Sequence, residues 1–318
     1  MIRTAVIGAG SFGRNHVRVV AENPRARLTH VVDANLERAR EHAAPHNAIA
    51  LTDYRELIGQ VDAAIVAVPT IAHAQTGCAL LEAGIDILVE KPIAPTLAEA
   101  DALVATAAAH NRILQVGHLE RFNPAVIALE KIATLPLFFE VHRMSVFTLR
   151  SLDVDVVLDL MIHDLDIVLA LARGELKEIR AAGISVLSPK VDIANVRLEF
   201  SDGCVANLTA SRVSTDKVRK LRLFQPRQYI SVDYAKQAAA VFRVGGPGGI
   251  AFEQLPIESA EPLKLQFDAF LDSVETRRAP KLDGSRARHT LEIALAVLAK
   301  IEEHASVVAQ TLASGWKP

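Results

Sequence analysis

The chain has 318 residues, half of them apolar and 23% charged, with a formal net charge of -2. That balance describes an ordered globular protein and excludes a disordered or collagenous chain. It also removes the basic field that nucleic-acid binding needs. The length exceeds an ordinary domain of roughly 100–200 residues, so two domains are expected.

Met1 leads straight into a strand without a signal-peptide pattern, and no apolar run approaches the ~20 residues of a membrane span. Cys78 and Cys204 stand far apart without metal-type spacing. A cytoplasmic protein with no bound metal and no membrane or nucleic-acid partner is therefore expected.

In chain order, Thr4–Ile7 reads as a buried strand, residues 8–13 as a glycine turn and Arg14–Asn23 as a helix. Strand Leu28–Val32 ends at Asp33, and helix Leu36–Ala44 and a short helix Asp53–Gly59 follow. Strand Ala63–Val68 is stopped by Pro69, helix Ala72–Ala83 is closed by Gly84, and strand Asp86–Val89 runs into Glu90-Lys91-Pro92. Helix Leu97–His110 and strand Ile113–Val116 complete the series. Alternating strands and helices imply a doubly wound parallel sheet of the Rossmann type.

The rhythm changes near Gly117, which sets expected domains at 1–117 and 118–318. Helix Pro124–Ile132, strand Phe138–Val146 and an apolar helix from about Asp155 to Leu171 come next. From Glu178 to about Phe252 strand-like runs and turns such as Ser201-Asp202-Gly203 predict a large, mostly antiparallel sheet. Helices Leu263–Arg277 and Ala287–Ala305 finish an α/β second domain.

Gly8-Ala9-Gly10-Ser11-Phe12-Gly13 matches the G-x-G-x-x-G pattern between a first strand and a first helix. Gly8 permits the tight turn, Gly10 lets backbone approach a pyrophosphate, and Gly13 allows close helix packing. Asp33, about 20 residues on, can accept from both adenosine ribose hydroxyls and repel a 2′-phosphate, which predicts NAD rather than NADP.

Lys91 follows the carboxyl end of a parallel strand, where such sheets gather ligands, and its ammonium could hold a hydroxyl and stabilise a developing alkoxide. The same residue also fits a surface lysine before a proline turn. Asp159 and His163, four apart in an apolar helix, fit a general acid/base with a carboxylate partner, though spacing alone favours a capped, hydrogen-bonded buried histidine. Arg121 and Asn123, at the domain junction, either contact a sugar or tie a helix start to the sheet.

Taken in order, the glycine turn, residues 67–73, Glu90-Lys91-Pro92, Arg121-Phe122-Asn123-Pro124 and the Asp159–His163 spacing resemble the Gfo/Idh/MocA oxidoreductases. The resemblance implies hydride chemistry on sugars or cyclitols, with His163 as general acid/base assisted by Lys91 and Asp159. It implies that Pro69, Thr70, His73, Glu90, Lys91 and His118 line the nicotinamide half of an NAD site. It further implies a homodimer or homotetramer built through the second sheet.

Residues 150–164 look like a subgroup acting on UDP-N-acetylglucosamine, whose 3-keto product serves amino-sugar synthesis for lipid A. A diphosphate needs cations, for which Arg121, Arg143, Arg150 and Arg212 are available. Lys91, Arg121, Asn123, Arg150 and His163 are the expected substrate contacts. A dehydrogenase of a free sugar or inositol, and a non-catalytic NAD-binding redox sensor, are the alternatives.

Overall fold

The computed structural model describes residues 1–148, 154–245 and 249–313. The chain divides into two compact units. One joins Met1–Leu119 to Glu261–Leu291; the other joins Glu120–Ala260 to the chain from Glu292 onward.

The first unit holds β1 (Ile2–Ile7), β2 (Ala26–Val32), β3 (Ile49–Leu51), β4 (Ala63–Val66), β5 (Asp86–Glu90) and β6 (Leu114–Gly117). All pair in parallel, in the order β3-β2-β1-β4-β5-β6. Strands such as β4 and β5 are buried at every residue because helices cover both faces, so they read as continuous apolar runs. The crossovers carry α1 (Gly13–Glu22), α2 (Leu36–Ala43), α3 (His73–Glu82) and α4 (Leu97–Ala109). Asn35 caps α2 by accepting from the N–H groups of Glu37 and Arg38, and Thr96 caps α4. Three-residue β3 was not read from the sequence, being too short to show a period. The expected helix at Asp53–Gly59 is instead one 3-10 turn, Tyr54–Leu57.

The second division of the chain departs from 118–318. α7 (Pro262–Thr276) belongs to the first unit, where Leu263, Phe267, Phe270 and Leu271 join the core beneath β1 and α1. Arg277, just past α7, grips both carboxylate oxygens of buried Asp86 at the start of β5. The Gln115 side chain donates to the Gln266 carbonyl. This helix returns because its apolar face completes a core laid down at the other end of the chain.

The second unit is an eight-stranded sheet ordered β14-β13-β12-β11-β7-β10-β9-β8. Its strands are β7 (Phe138–Met144), β8 (Leu176–Ile184), β9 (Ile193–Phe200), β10 (Val205–Ser211), β11 (Val218–Gln225), β12 (Gln228–Asp233), β13 (Ala238–Val244) and β14 (Ile250–Gln254). Only β7 and β10 pair in parallel. Alternation decides the faces: Ala194, Val196, Leu198 and Phe200 of β9 point into a core shared with α5 (Pro124–Ile132) and α6 (Ile162–Leu171). Ile293, Ala294 and Val297 of α8 (Gly284–Ala313) close the same core.

The apolar stretch from 155 to 171 is not one α-helix. Val157–Met161 forms a π turn, closed by the Ile162 N–H on the Val157 carbonyl, before α6 begins. Apolar patterning cannot show this, since one turn is too short to reveal a change of period.

Candidate functional site

In the first unit the chain leaves β1 at Ile7 and turns at Gly8, whose φ is +89°. A Cβ on Gly8 would fall 2.5 Å from the Ala67 carbonyl oxygen, and one on Gly13 would fall 1.8 Å from the Gly8 carbonyl oxygen. The turn therefore closes only with hydrogen at both positions. A Cβ on Gly10 would meet nothing within 4 Å. The space kept open belongs to a cavity of about 500 Å³ lined by Gly8, Gly10, Ser11, Phe12, Asp33, Ala34, Arg38, Thr52, Tyr54, Val68 and Pro69. It lies between β1 and β4, where the strand order reverses and nucleotides bind in such sheets.

Asp33 is 8% exposed. One carboxylate oxygen accepts from the Ala9 N–H at 2.8 Å, and the other from the Asn35 N–H at 2.9 Å and the Arg38 guanidinium at 3.4 Å. The acid thus shapes the glycine turn and faces the cavity. Open backbone at Gly10, a helix N-terminus and a cavity-lining carboxylate fit an adenine dinucleotide.

Gly8, Gly10, Ser11, Phe12, Asp33 and Pro69 are brought together around this cavity. Thr70 instead starts the 3-10 turn Thr70–Ala72, outside that lining. His73, the other residue expected near the cofactor from this segment, begins α3. Its ring is 1% exposed, with Nδ1 2.9 Å from the Pro92 carbonyl and Nε2 3.0 Å from the Val68 carbonyl. Burial pushes its pKa below the ordinary value against the pull of those carbonyls. His118 is likewise 1% exposed.

Half-buried Lys91 follows β5. Glu90 before it is buried, one oxygen 2.8 Å from Nε2 of His16 on α1, the other accepting from the Lys91 N–H at 3.3 Å.

In the second unit, Asp159 lies inside the π turn and His163 is the second residue of α6, both half-buried. The wider turn breaks the simple i,i+4 relation expected of them, and π turns recur at functional sites. Asp164 beside His163 is 1% exposed and paired on both oxygens with Arg143 at 2.7 and 2.8 Å. Burial opposes the Arg143 charge, and the Asp164 carboxylate outweighs it, so its pKa is raised. Tyr234 lies under the same guanidinium, 5.5 Å from its ring centre, and burial pushes the phenol pKa far up.

Two expected substrate contacts are committed to the scaffold. Arg121, 5% exposed, pairs with Glu130 at 2.8 Å and Asp166 at 3.3 Å. Asn123 caps α5 through the Ala125 N–H and donates to the Tyr234 carbonyl, so it ties a helix start to the sheet. Arg212 is buried too, donating to the Val154 carbonyl beside Asp192. Arg150 lies outside the described residues. Sequence reading missed Arg38, Tyr54 and His16; the signal for Arg38 was its position in the first turn of a helix that starts three residues after Asp33.

Residues 2–118 match the oxidoreductase family with an NAD-binding Rossmann fold, and residues 138–230 match the GFO/IDH/MocA C-terminal domain. The chain belongs to the Gfo/Idh/MocA family. It is an NAD-binding oxidoreductase. It is 35% identical to the UDP-N-acetylglucosamine 3-dehydrogenase of Acidithiobacillus ferrooxidans, over 95% of this chain and 97% of that one. A solved structure of that enzyme superposes with a TM-score of 0.90, covering 95% of this chain and 98% of the other. Inositol 2-dehydrogenase 1 of Saccharopolyspora erythraea is 27% identical over 86% of each chain. A levoglucosan dehydrogenase in complex with NADH shares the fold, with a TM-score of 0.84 at 18% identity, 95% of this chain being covered. Among the described residues no helix is long and apolar enough to cross a membrane.

Proposed function

We propose that this family member is a nucleotide-sugar dehydrogenase that oxidises the 3-hydroxyl of UDP-N-acetylglucosamine to a ketone. The observation that carries the substrate is the 35% identity, spread over 95% of the chain, to an enzyme with that activity. NAD supplies the hydride acceptor when bound. Gly8, Gly10 and the α1 N-terminus hold its pyrophosphate, and Asp33 its adenosine ribose.

Lys91 Nζ donates a hydrogen bond to the reacting hydroxyl and steadies the alkoxide as charge develops. His163 takes the hydroxyl proton on Nε2, because Nδ1 is buried. Asp159 stabilises the imidazolium that results. In the cytoplasm, where UDP-sugars are made, the ketone feeds an aminotransferase that makes an amino sugar of lipid A. The chain self-associates through the second sheet, whose face carries a row of touching rings, Phe138, Phe224, Tyr229, Phe242 and Phe252. A solution mass of one chain contradicts that part.

A free sugar or inositol is the second reading. It is favoured by one observation: Arg121, Arg143 and Arg212, the described cations expected to serve a diphosphate, are buried in ion pairs. Absorbance at the reduced-nicotinamide band separates the two. With protein, NAD and a ketone trap, the proposal expects reduction with UDP-N-acetylglucosamine and none with N-acetylglucosamine, glucose or myo-inositol. Reduction with myo-inositol alone overturns it in favour of the second reading. Tight NAD binding with silence across the panel favours the redox sensor.

A further inference from the structure

Lys91 stands between two residues that are each held by a buried histidine of a neighbouring helix. On one side is Glu90. His16, three residues past Gly13 on α1, places Nε2 2.8 Å from a Glu90 carboxylate oxygen, and its side chain is 1% exposed. Gly117 of β6 leaves room for the carboxylate, since a Cβ there would fall 2.8 Å from it. On the other side is Pro92. His73, the first residue of α3, places Nδ1 2.9 Å from the Pro92 carbonyl and Nε2 3.0 Å from the Val68 carbonyl.

The chemistry of each contact is directional. An ionised Glu90 can only accept, so His16 carries its proton on Nε2 and donates. Both acceptors of His73 are carbonyls, so the neutral ring serves one of them at a time. Both histidines also touch the lining of the cofactor cavity: His16 meets the edge of Phe12 at 5.3 Å between ring centres, and His73 meets Val68.

We propose that His16 and His73 are positioning residues that clamp Glu90 and Pro92 and so set where the Lys91 ammonium is presented. The inference rests on the proposed role of Lys91 in the reaction. The clamp draws on α1 and α3, whose histidines hold the residues on either side of the lysine. It also explains why a glutamate buried to this degree precedes the lysine: its carboxylate is a handle for α1, oriented by His16 in the space that Gly117 leaves open.

Steady-state kinetics with UDP-N-acetylglucosamine and NAD test this, beside NAD binding followed by protein fluorescence. Lys91→Ala comes first: if it keeps near-native turnover, the reading of Lys91 fails whatever the histidines do. If it does not, His16→Ala is expected to lower kcat by about 10–100-fold, the scale of a displacement near 1 Å, with NAD affinity and KM nearly unchanged. His16→Gln, which returns an N–H near the Nε2 position, restores most of the loss. The two amides at position 73 divide the role of the ring. His73→Asn keeps a donor for Pro92 and restores most of what His73→Ala loses; His73→Gln reaches Val68 and does not.

A fall in NAD affinity parallel to the fall in kcat, or equal kcat for Asn and Gln at position 73, overturns the clamp. Should the alanine variants fail to fold, the two amide variants carry the test. Labelling of Lys91 by an amine-reactive reagent, read by peptide mapping on the NAD-bound protein, needs no substrate. The clamp expects a several-fold change of rate at Lys91 in His73→Gln and none at exposed Lys131, and an unchanged Lys91 rate contradicts it.

Discussion

At the scale of single residues, Asp33 carries more than one duty. Its two oxygens shape the glycine turn through Ala9 and open α2 through Asn35, and Arg38 leans on it from the first turn of that helix. Asp33→Ser removes the acceptor and leaves the arginine facing the same cavity. NAD affinity is expected to fall about 10-fold, the size of a lost hydrogen bond to a charged group, while NADP affinity rises. Titration with both dinucleotides checks this, and adding Arg38→Ala is expected to cancel the gain for NADP. The glycines and Asp33 were legible in the sequence because their spacing is fixed: a glycine turn between a first strand and a first helix, and an acid at the end of the next strand. Arg38 was not, since its reach depends on how Asn35 starts α2. Arg121 and Asn123 were legible as residue types but not by direction. Whether a cation meets a ligand or a buried carboxylate such as Asp166 is decided by packing from another element.

At the scale of elements, α6 is pinned beside His163 by a charge pair with no exposed surface, Arg143 of β7 and Asp164. Removing one member strands the other. Arg143→Met is expected to destabilise the protein by about 3–5 kcal/mol, because the Asp164 carboxylate is left buried and unpaired. Arg143→Met with Asp164→Leu is expected to recover much of that loss. Chemical denaturation of the single and double variants measures the difference, and additive losses contradict the account. The strands and helices of the parallel half could be read because each is a run of one period bounded by glycine, proline or a capping side chain. The π turn at Val157–Met161 could not, since a single turn of a mostly apolar stretch is too short to reveal a change of period. Three-residue β3 could not either, being held by β2 rather than by its own composition.

At the scale of the whole molecule, the sequence pattern places a boundary near Gly117 but gives no sign that α7 completes the unit before that boundary. An amphipathic helix shows that it has a buried face and not which core receives it. A chain of residues 1–119 is therefore expected to lack a cooperative melt. Losing the burial of Leu263, Phe267, Phe270 and Leu271 costs about 1.5–3 kcal/mol each, a sum as large as the stability of an entire domain. Fusing 261–291 to it through a Gly/Ser linker is expected to restore the transition by circular dichroism, and a cooperative melt of 1–119 alone contradicts the account. The discontinuity also sets a schedule for synthesis. The segment that separates Leu119 from Glu261 is translated in roughly ten seconds or more at about 5–20 residues per second. Through that interval the nucleotide-binding half is present on the ribosome without its last helix. Its apolar patch is bare while the other sheet is still being made, which makes the nascent chain a client for whatever shields unfinished surfaces.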